Sequence, residues 1–293
     1  MIPEEILNEA LRSIAEKTGE NAELRSSRPL SGGSINEAYK METTRGVYFM
    51  KYNHAGRYPE MFEKEARGLK LLRSADEIRI PEVIGTGEAG NYSFILLEYI
   101  DPAPKTNDFW QHFGTALAKL HKTFGDRFGL DHDNYIGSLY QKNDFHNDWT
   151  GFFIEERLQP MIRMAREDGQ VDSGTVKKFD HLFSILDSIF PKEPPSLIHG
   201  DLWSGNYMVD DRGEACILDP AVYYGSREMD IGMSRLFGVF GEDFYRAYNE
   251  EYPMEPGWRE RVDICNLYPL MVHVNLFGQG YLGSVLSILR RFQ

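Results

Sequence analysis

The chain has 293 residues, 42% of them hydrophobic, which is enough for a sizeable core and about two lobes or domains. Its formal net charge of -13 argues against nucleic-acid partners, because the phosphate backbone is bound by basic surfaces. Two cysteines cannot build a disulfide framework and no apolar run approaches the ~20 residues of a membrane span, so we expect a cytoplasmic protein without a membrane partner.

Residues 1–100 are predicted to alternate short strands with two helices. Pro3 suits the first turn of a helix over residues 3–17, Glu4 and Glu5 favour its N-terminal end, and Gly19 follows as a stop. Strand-like runs cover residues 24–30, 35–42 and 47–52, a helical segment covers 58–73, and further strands cover 81–86 and 92–99. This order is typical of a small, sheet-based nucleotide-binding lobe.

Beyond residue 100 the chain is predicted to be mostly helical. The segment Asp101-Pro102-Ala103-Pro104 interrupts the strand pattern and predicts the connection between two lobes, residues 1–100 and residues 101–293. Helices are predicted over residues 108–122, 149–167 and 173–190, within 230–240 and 243–251, and over 258–277 and 282–292. We therefore predict an α+β fold, in which a small antiparallel sheet precedes a largely helical lobe.

Residues 198–207 and 217–220 have the arrangement of a kinase catalytic loop followed by a metal-binding loop. The loop reads His199-x-Asp201-x-x-x-x-Asn206, and Asp219 comes later, at the end of a predicted strand. Phosphoryl transfer needs a carboxylate that accepts the proton of the attacking hydroxyl, and oxygen ligands that hold Mg²⁺ on the phosphates of ATP. We predict Asp201 as that base and Asn206 and Asp219 as the metal ligands. In the alternative, His199 and Asp201 only cap a tight turn between two buried strands.

Lys51 and Glu65 are predicted to hold the phosphates from the N-terminal lobe. Lys51 ends the third predicted strand, and Glu65 lies in the helix that follows. In kinases a strand Lys held by a helix Glu places one cation on the α- and β-phosphates. A Lys at a strand end is by itself more often a solvated surface charge, so the interpretation depends on the catalytic-loop residues. Glu63 is an alternative partner, but Glu65 adjoins the apolar face of the predicted helix.

Two further segments are predicted to contact the nucleotide. Ser31-Gly32-Gly33-Ser34 lies between the first two strands, where glycines let backbone N–H groups approach phosphates. An ordinary hairpin turn is an equal alternative for this segment. Glu98-Tyr99-Ile100 lies where the fifth strand meets the connection between lobes, so its backbone is expected to face the adenine edge; otherwise it is only the end of a core strand.

Three groups of residues carry a family resemblance over nearly the whole chain. The loop His199-Gly200-Asp201-Leu202-Trp203-Ser204-Gly205-Asn206 includes Trp203, which the wider aminoglycoside and choline kinase group lacks. Asp219-Pro220-Ala221 is followed by Tyr224-Gly225 and Glu228-Met229-Asp230, and Asn147-Asp148-Trp149 precedes Arg157-Leu158-Gln159. These segments resemble the fructosamine/ketosamine-3-kinases, also called protein-ribulosamine 3-kinases, within the protein-kinase-like aminoglycoside and choline kinase group.

The resemblance implies a bilobal protein-kinase-like fold. It implies ATP-dependent phosphorylation of the sugar O3 hydroxyl of ketoamines, ribulosamine or fructosamine, on protein or free lysine. The 3-phosphate product would be unstable and shed the sugar, which frees the amine and is a deglycation repair. Asp201 would be the proton acceptor, and Glu98, Tyr99 and Ile100 the adenine-binding segment. ATP and Mg²⁺ are the implied cofactors, and glycated proteins or glycated lysine the implied partners.

Three other residues have expected roles around the catalytic loop. Trp203 either packs in the core or presents its face to a sugar as a substrate-binding residue, and we favour the sugar. His199 is expected to be structural and to hold the metal loop through a backbone carbonyl. Asp230 is expected to anchor the catalytic loop through backbone N–H groups and not to bind metal.

Two alternative functions remain beside this prediction. The first is a small-molecule phosphotransferase that acts on an aminoglycoside, choline or a related alcohol, whose cationic substrates require an acidic pocket. The second is a nucleotide-binding scaffold without catalysis. The intact set of predicted catalytic and metal-binding residues argues against the scaffold, since inactive kinases have usually lost one of them.

Overall fold

The computed structural model describes residues 2–30 and 35–292, which group into two compact units. The first unit is Met1–Phe109 with Met208–Pro220, and the second is Trp110–Tyr207 with Ala221–Gln293. The grouping of Met208–Pro220 with the N-terminal part of the chain was not predicted from sequence. The lobe boundary near residue 101 stays a prediction.

Two sequence predictions concern the phosphate loop and membrane-spanning helices. The loop Ser31-Gly32-Gly33-Ser34 lies outside the described residues. Across residues 2–30 and 35–292, no helix combines the length and the apolar character that crossing a membrane requires.

The first unit is built on a five-stranded antiparallel sheet. Its first elements are α1 (Glu4–Thr18), β1 (Leu24–Leu30), β2 (Glu37–Thr43), β3 (Gly46–His54), α2 (Met61–Ser74), β4 (Val83–Ala89) and β5 (Tyr92–Glu98). The strands are ordered β1-β2-β3-β5-β4, and each neighbouring pair is antiparallel. The antiparallel sheet predicted for this part of the chain is confirmed.

Helix α1 packs on one face of this sheet. Ile6, Ala10 and Ile14 repeat at helical spacing, are fully buried, and belong to one apolar cluster with Met50 of β3. Because successive side chains of a strand point to opposite faces, Lys51 points away from the face that carries Met50. Along β3 the side chains therefore alternate between the core face, which carries Met50, and the opposite face, which carries Lys51.

Beyond β5 the chain is mostly helical, as predicted. In order it forms α3 (Phe109–Leu120), β6 (Asn134–Ile136), β7 (Leu139–Gln141), α4 (Trp149–Phe152), a π-helical stretch (Phe153–Leu158), α5 (Gln159–Glu167), α6 (Ser173–Ile189), β8 (Ser196–Ile198), β9 (Tyr207–Val209), β10 (Ala215–Ile217), β11 (Tyr223–Gly225), α7 (Glu228–Leu236), α8 (Glu242–Glu251), α9 (Trp258–Cys265), α10 (Leu267–Phe277) and α11 (Leu282–Leu289). Short 3₁₀ turns cover Gln279–Tyr281 and Arg290–Phe292. The pairs β6–β7, β8–β11 and β9–β10 are two-stranded.

The helix predicted over residues 258–277 is two helices in the structure. Helix α9 ends at Cys265, and α10 begins at Leu267. Pro269 explains the break, because a proline lacks the backbone N–H group that a continuous helix needs but fits the first turn of a new one. The three-residue strands were not predicted, since they are too short to show an alternating pattern.

The hairpin β9–β10 connects the segment 208–220 to the rest of the first unit. Its turn is closed by Asp210, a fully buried carboxylate that accepts two backbone N–H groups of the turn. Strand β10 also reaches the segment before β4, where Ile217 N donates to Arg79 O at 3.1 Å. The hairpin therefore places Asp219, two residues after the end of β10, in the first unit.

Both cysteines are buried and free, so we predict that they resist alkylation in the folded protein. Burial raises the pKa of the Cys216 thiol to about 12 and that of Cys265 well above its ordinary value. Since only the thiolate reacts, iodoacetamide at about pH 8 should add no label to the native protein and two labels in denaturant. Mass spectrometry of the intact protein measures both states. Rapid labelling of the native protein would contradict the burial of these strand and helix residues.

Candidate active site

Lys51 lies between two carboxylates in the first unit. Its Nζ donates to Glu65 Oε1 at 2.6 Å and to Asp219 Oδ1 at 2.5 Å. The Lys51 side chain is 7% exposed and that of Glu65 12%, whereas the Asp219 side chain is 46% exposed. The structure thus brings together Lys51, Glu65 and Asp219, and Glu65 rather than Glu63 is the partner of Lys51.

The charges of this triad favour a cation beside Asp219. Burial opposes the charged form of Lys51, but the carboxylates of Asp219 and Glu65 outweigh it and raise the pKa of the ammonium. Burial raises the pKa of Glu65 in spite of the attraction of Lys51. The Asp219 carboxylate is more exposed than that of Glu65, so a cation that approaches the triad would meet Asp219.

Asp219 adopts a backbone conformation that positions its carboxylate. Its φ is 54°, in the left-handed region that residues other than glycine seldom occupy, although Asp tolerates it better than most. It is also followed by Pro220, which restricts the residue before it further. Strain of this kind persists only where surrounding contacts enforce it, and here the ion pair with Lys51 is one of those contacts.

The described residues fit an ion that arrives with a phosphate ligand better than a resident metal. Over residues 2–30 and 35–292, no three or more His, Cys, Asp or Glu side chains cluster as a metal site. Mg²⁺ does not require such a cluster, because it keeps waters and phosphate oxygens and takes one or two carboxylates from the protein. The Asp219 carboxylate has the chemistry and the exposure for that role.

In the second unit, the catalytic loop holds Asp201 and Asn206 together. Asn206 Nδ2 donates to the Asp201 carbonyl and to Asp201 Oδ2, both at 2.8 Å. Since both partners are acceptors, the amide orientation is defined, and Oδ1 is the Asn206 atom able to bind a cation. The loop is tight: Trp203 N donates to Asp201 O at 3.2 Å, and Asn206 N donates to Trp203 O at 3.0 Å. Asn206 therefore orients the Asp201 carboxylate.

A fully buried carboxylate, Asp230 of α7, anchors the start of this loop. Oδ2 accepts the His199 N–H at 2.7 Å, and Oδ1 accepts the Gly200 N–H at 2.9 Å. His121 Nε2 lies 3.2 Å from Oδ2, and His121 Nδ1 contacts the Tyr248 hydroxyl at 2.8 Å. Burial opposes ionisation, but the contact with His121 and the backbone N–H group lower the pKa of Asp230 overall. The anchoring role expected for Asp230 is confirmed.

The turn before Asp201 requires a glycine at position 200 and is held by a backbone hydrogen bond of His199. Gly200 has φ 82°, and a Cβ there would lie 2.1 Å from the Ala221 carbonyl oxygen, so no other residue fits without movement. The His199 carbonyl accepts the Ala221 N–H at 2.9 Å, which confirms the backbone contact expected for His199. Strand β8, which pairs with β11, leads directly into this turn.

Trp203 is half-buried and lies outside the apolar core. Its indole covers Gly205, where a Cβ would come within 2.3 Å of the ring. The next residue, Ser204, donates through Oγ to the Phe237 carbonyl at 2.8 Å, and the Phe237 ring lies 4.4 Å from that of His273. The loop around Trp203 is thus tied to the backbone of Phe237 in the second unit.

The predicted adenine-binding segment begins where β5 ends. Glu98 N donates to Glu82 O at 2.8 Å, and Glu98 Oε2 accepts the Glu82 N–H at 3.2 Å. Tyr99 lies under the Lys40 ammonium, 4.5 Å from its ring centroid, and Ile100 is buried. The side chains of this segment are therefore fixed within the first unit, and its contact with a nucleotide stays a prediction.

Arg79 and His121 support these groups but were missed in the sequence. Arg79 Nη2 donates to Glu98 Oε1 at 2.8 Å, and His121 contacts Asp230. Neither residue belongs to a motif. A faint signal was present for Arg79 alone, which is a single polar residue between apolar ones in Ile78-Arg79-Ile80, since a buried polar side chain needs a partner.

Comparison with known proteins identifies relatives over nearly the whole chain. A family model described as fructosamine kinase matches residues 6–293. A candidate ketoamine kinase of Enterococcus faecium is 39% identical over 90% of this chain and 94% of its own length. The chloroplastic protein-ribulosamine 3-kinase of Arabidopsis thaliana is 40% identical over 89% of this chain and 80% of its own length.

Solved structures agree with these matches. A crystal structure from Thermobifida fusca, described as a candidate fructosamine-3-kinase, is 32% identical and superposes with a TM-score of 0.88 over 97% of this chain and 98% of its own. The aminoglycoside phosphotransferase APH(4)-Ia superposes with a TM-score of 0.64 at 16% identity over 97% of this chain and 98% of its own, which shows a shared fold. The predicted protein-kinase-like fold is confirmed.

We predict that Asp230→Asn destabilises the protein by about 3 kcal/mol, because the amide offers one acceptor oxygen where two backbone N–H groups and His121 need partners. Urea unfolding measures the change in the free energy of unfolding. The pKa of Asp230 is lowered on folding, so its stabilisation is present above the ordinary Asp pKa and disappears as the pH falls through the folded value. Wild type should therefore be destabilised more by acidification than Asp230→Asn is.

The exposed Asp243 provides the control for this change. It forms an ion pair with Arg246, one turn along α8, and both side chains are about half-exposed. Asp243→Asn should leave the unfolding free energy within about 0.5 kcal/mol of wild type. Equal stability of Asp230→Asn and Asp243→Asn would contradict the anchoring role.

Proposed function

The chain belongs to the fructosamine kinase family and is a phosphotransferase acting on a hydroxyl group, and on this basis we propose a specific donor and acceptor. The donor is ATP with Mg²⁺. The acceptor is the O3 hydroxyl of a ketoamine sugar, ribulosamine or fructosamine, carried by a lysine of a protein or by free lysine. Phosphorylation at O3 makes the sugar prone to leave, which returns the amine and constitutes a deglycation.

The observation that carries this proposal is the geometry of Asp201. Its carboxylate is oriented by Asn206, and the turn before it is fixed by the buried Asp230. Phosphoryl transfer requires little more of the acceptor side than a correctly placed proton acceptor, since positioning and electrostatics supply most of the catalysis. We propose that Asp201 takes the proton of the attacking hydroxyl while the hydroxyl oxygen bonds to the γ-phosphorus and ADP leaves.

The donor side of the proposal rests on Lys51. Its raised pKa keeps the ammonium charged, and Glu65 holds it from the adjacent helix, as expected of the cation that contacts the α- and β-phosphates. When bound, Mg²⁺ would neutralise the charge that develops on the phosphate oxygens, with Asn206 Oδ1 and Asp219 as its protein ligands. Glu98, Tyr99 and Ile100 would hold the adenine ring.

Trp203 is the residue that we assign to the acceptor. It stands two positions after the proposed base in the chain, is half-buried, and is already held by two backbone hydrogen bonds of the loop. An indole offers a flat apolar face to the C–H side of a sugar and one N–H donor to a hydroxyl. The name protein-ribulosamine 3-kinase of the Arabidopsis relative supports a sugar on an amine as the acceptor.

The proposal is tested by ATP turnover on a panel of acceptors: ribulosamine- and fructosamine-modified lysine, a glycated protein, an aminoglycoside and choline. We expect turnover on the glycated amines and a decrease of ~10²–10⁴-fold in Asp201→Asn, because the hydroxyl proton then lacks an acceptor. Nucleotide binding by calorimetry should persist in that variant. Turnover restricted to the aminoglycoside or choline would favour the general phosphotransferase. Binding of ATP without turnover on any acceptor would favour a scaffold.

We predict that Trp203→Ala weakens kcat/KM for a ribulosamine by about 1–3 kcal/mol in transition-state stabilisation and leaves the KM for ATP nearly unchanged. The substitution removes an indole that packs on the sugar, so the parameters for the nucleotide should not change with it. Trp258→Ala, at the start of α9, is the matched control and should keep wild-type kinetics on the acceptor. A folded Trp203→Ala protein with wild-type kinetics on glycated lysine would remove Trp203 from the acceptor site.

A further inference from the structure

Arg79 contacts three carboxylates from two distant parts of the chain, all within the first unit. Nη2 donates to Glu98 Oε1 at 2.8 Å, and Nη1 donates to Asp210 Oδ2 at 3.1 Å and also to Asp211. The side chain is 22% exposed. A guanidinium is suited to this task, since its planar fork of N–H groups can bond several acceptors in fixed directions.

The backbone of Arg79 joins the same hairpin that its side chain contacts. Its carbonyl accepts the Ile217 N–H at 3.1 Å, and Arg79 forms a parallel bridge with Cys216 of β10. The side chain meets the other end of the hairpin at the fully buried Asp210. Two separate contacts therefore fix the hairpin β9–β10, and with it the position from which Asp219 reaches Lys51.

On its other side the guanidinium fixes Glu98. The second carboxylate oxygen of Glu98 accepts the Glu82 N–H, so both of its oxygens are engaged. Glu98 is the first residue of the segment that we assign to the adenine ring. The same guanidinium thus contacts one segment assigned to the adenine end of ATP and one hairpin leading to the residue assigned to its phosphate end.

We propose that Arg79 is a positioning residue for the nucleotide: its guanidinium sets the spacing between the segment Glu98–Ile100 and the hairpin that carries Asp219. The inference rests on the proposed function, because it needs ATP as the ligand of both groups. Arg79 acts through these two segments and does not itself bind the nucleotide or the acceptor. Without it, Glu98, Asp210 and Asp211 would be like charges close together, and the two segments would move apart.

The surroundings of Arg79 allow this role to be separated from stability. A cavity of about 550 Å³ borders Arg79 and Glu98 and is lined by charged side chains of the same unit, Arg73, Asp76, Glu77 and Arg212 among them. Water can fill the space left by a shorter side chain there, so a variant should fold. The main effect of shortening Arg79 should be that the distance between Glu98–Ile100 and the β9–β10 hairpin is no longer fixed.

The test is nucleotide affinity in Arg79→Gln, measured by calorimetry with the ATP analogue AMP-PNP and Mg²⁺, alongside thermal unfolding. We expect the affinity to fall about ten- to a hundredfold, the range for removing charge-assisted hydrogen bonds, and the KM for ATP to rise while that for the ketoamine stays within about twofold. Arg212→Gln is the matched control. Its guanidinium also bonds Asp210, but its side chain is 66% exposed and belongs to the hairpin itself. It should keep wild-type affinity.

Two more variants show whether Arg79 acts through Glu98. Arg79→Lys keeps the charge but not the fork, so it should restore only part of the affinity, and it carries the test if Arg79→Gln does not fold. The decreases in affinity of Arg79→Gln and Glu98→Gln should not fully add in the double variant, since both variants lose the contact between Arg79 and Glu98. Additive decreases, or a lower melting temperature with unchanged nucleotide affinity, would overturn the inference.

Nucleotide binding and turnover by wild type distinguish a failure of this inference from a failure of the proposed function. If wild type binds no nucleotide, the proposed function fails and the inference falls with it. If wild type binds nucleotide and phosphorylates a ketoamine while Arg79→Gln matches it in both, only the inference is overturned.

Discussion

The ammonium of Lys51 is the contact on which the first unit depends. Strand β3 supplies the lysine, α2 supplies Glu65, and the segment after β10 supplies Asp219. An isolated charge buried to this degree would cost several kcal/mol, so Lys51 requires a carboxylate partner, and the structure supplies Glu65 and Asp219. Its location on the sheet face opposite α1 determines where a helix and a returning segment must lie to reach it. Asp219, which reaches Lys51 from that returning segment, has a left-handed backbone.

The second unit also contains a buried charge that needs partners, and there the charge is negative. Asp230 is a fully buried carboxylate, and backbone N–H groups together with His121 compensate its charge. Arg79 is a third case, in which one guanidinium serves three carboxylates. In each case a charge removed from water holds a loop in one position. Because truncating one partner leaves the others uncompensated, these loops are fixed more firmly than apolar packing alone would fix them.

Prediction from sequence succeeded where the partners are close together along the chain. Asp201 and Asn206 belong to one short loop, where a hydrogen bond joins them, although their catalytic and metal-binding roles stay predictions. The apolar stripe of α1 repeats within one helix, so a local pattern contains each relationship. The ion pair of Lys51 with Glu65 spans a strand and the next helix and was still accessible through a known arrangement. Arg79 and Asp210 are 131 residues apart, and no local pattern links them. The return of segment 208–220 was missed for the same reason, since the contacts that hold it, at Lys51, Arg79 and Thr106, all join residues that lie far apart along the chain.

The discontinuity of the first unit has a consequence for the order of events during synthesis. Lys51 and its partner Asp219 are 168 residues apart, and most of the intervening chain after Phe109 belongs to the other unit. At about 5–20 residues per second, the ribosome adds Asp219 roughly ten to thirty seconds after Lys51. Until then the nascent sheet carries Lys51 with Glu65 alone and lacks the β9–β10 hairpin. The N-terminal sheet can thus form early, but the face that carries Lys51 is completed only after most of the chain has been synthesised.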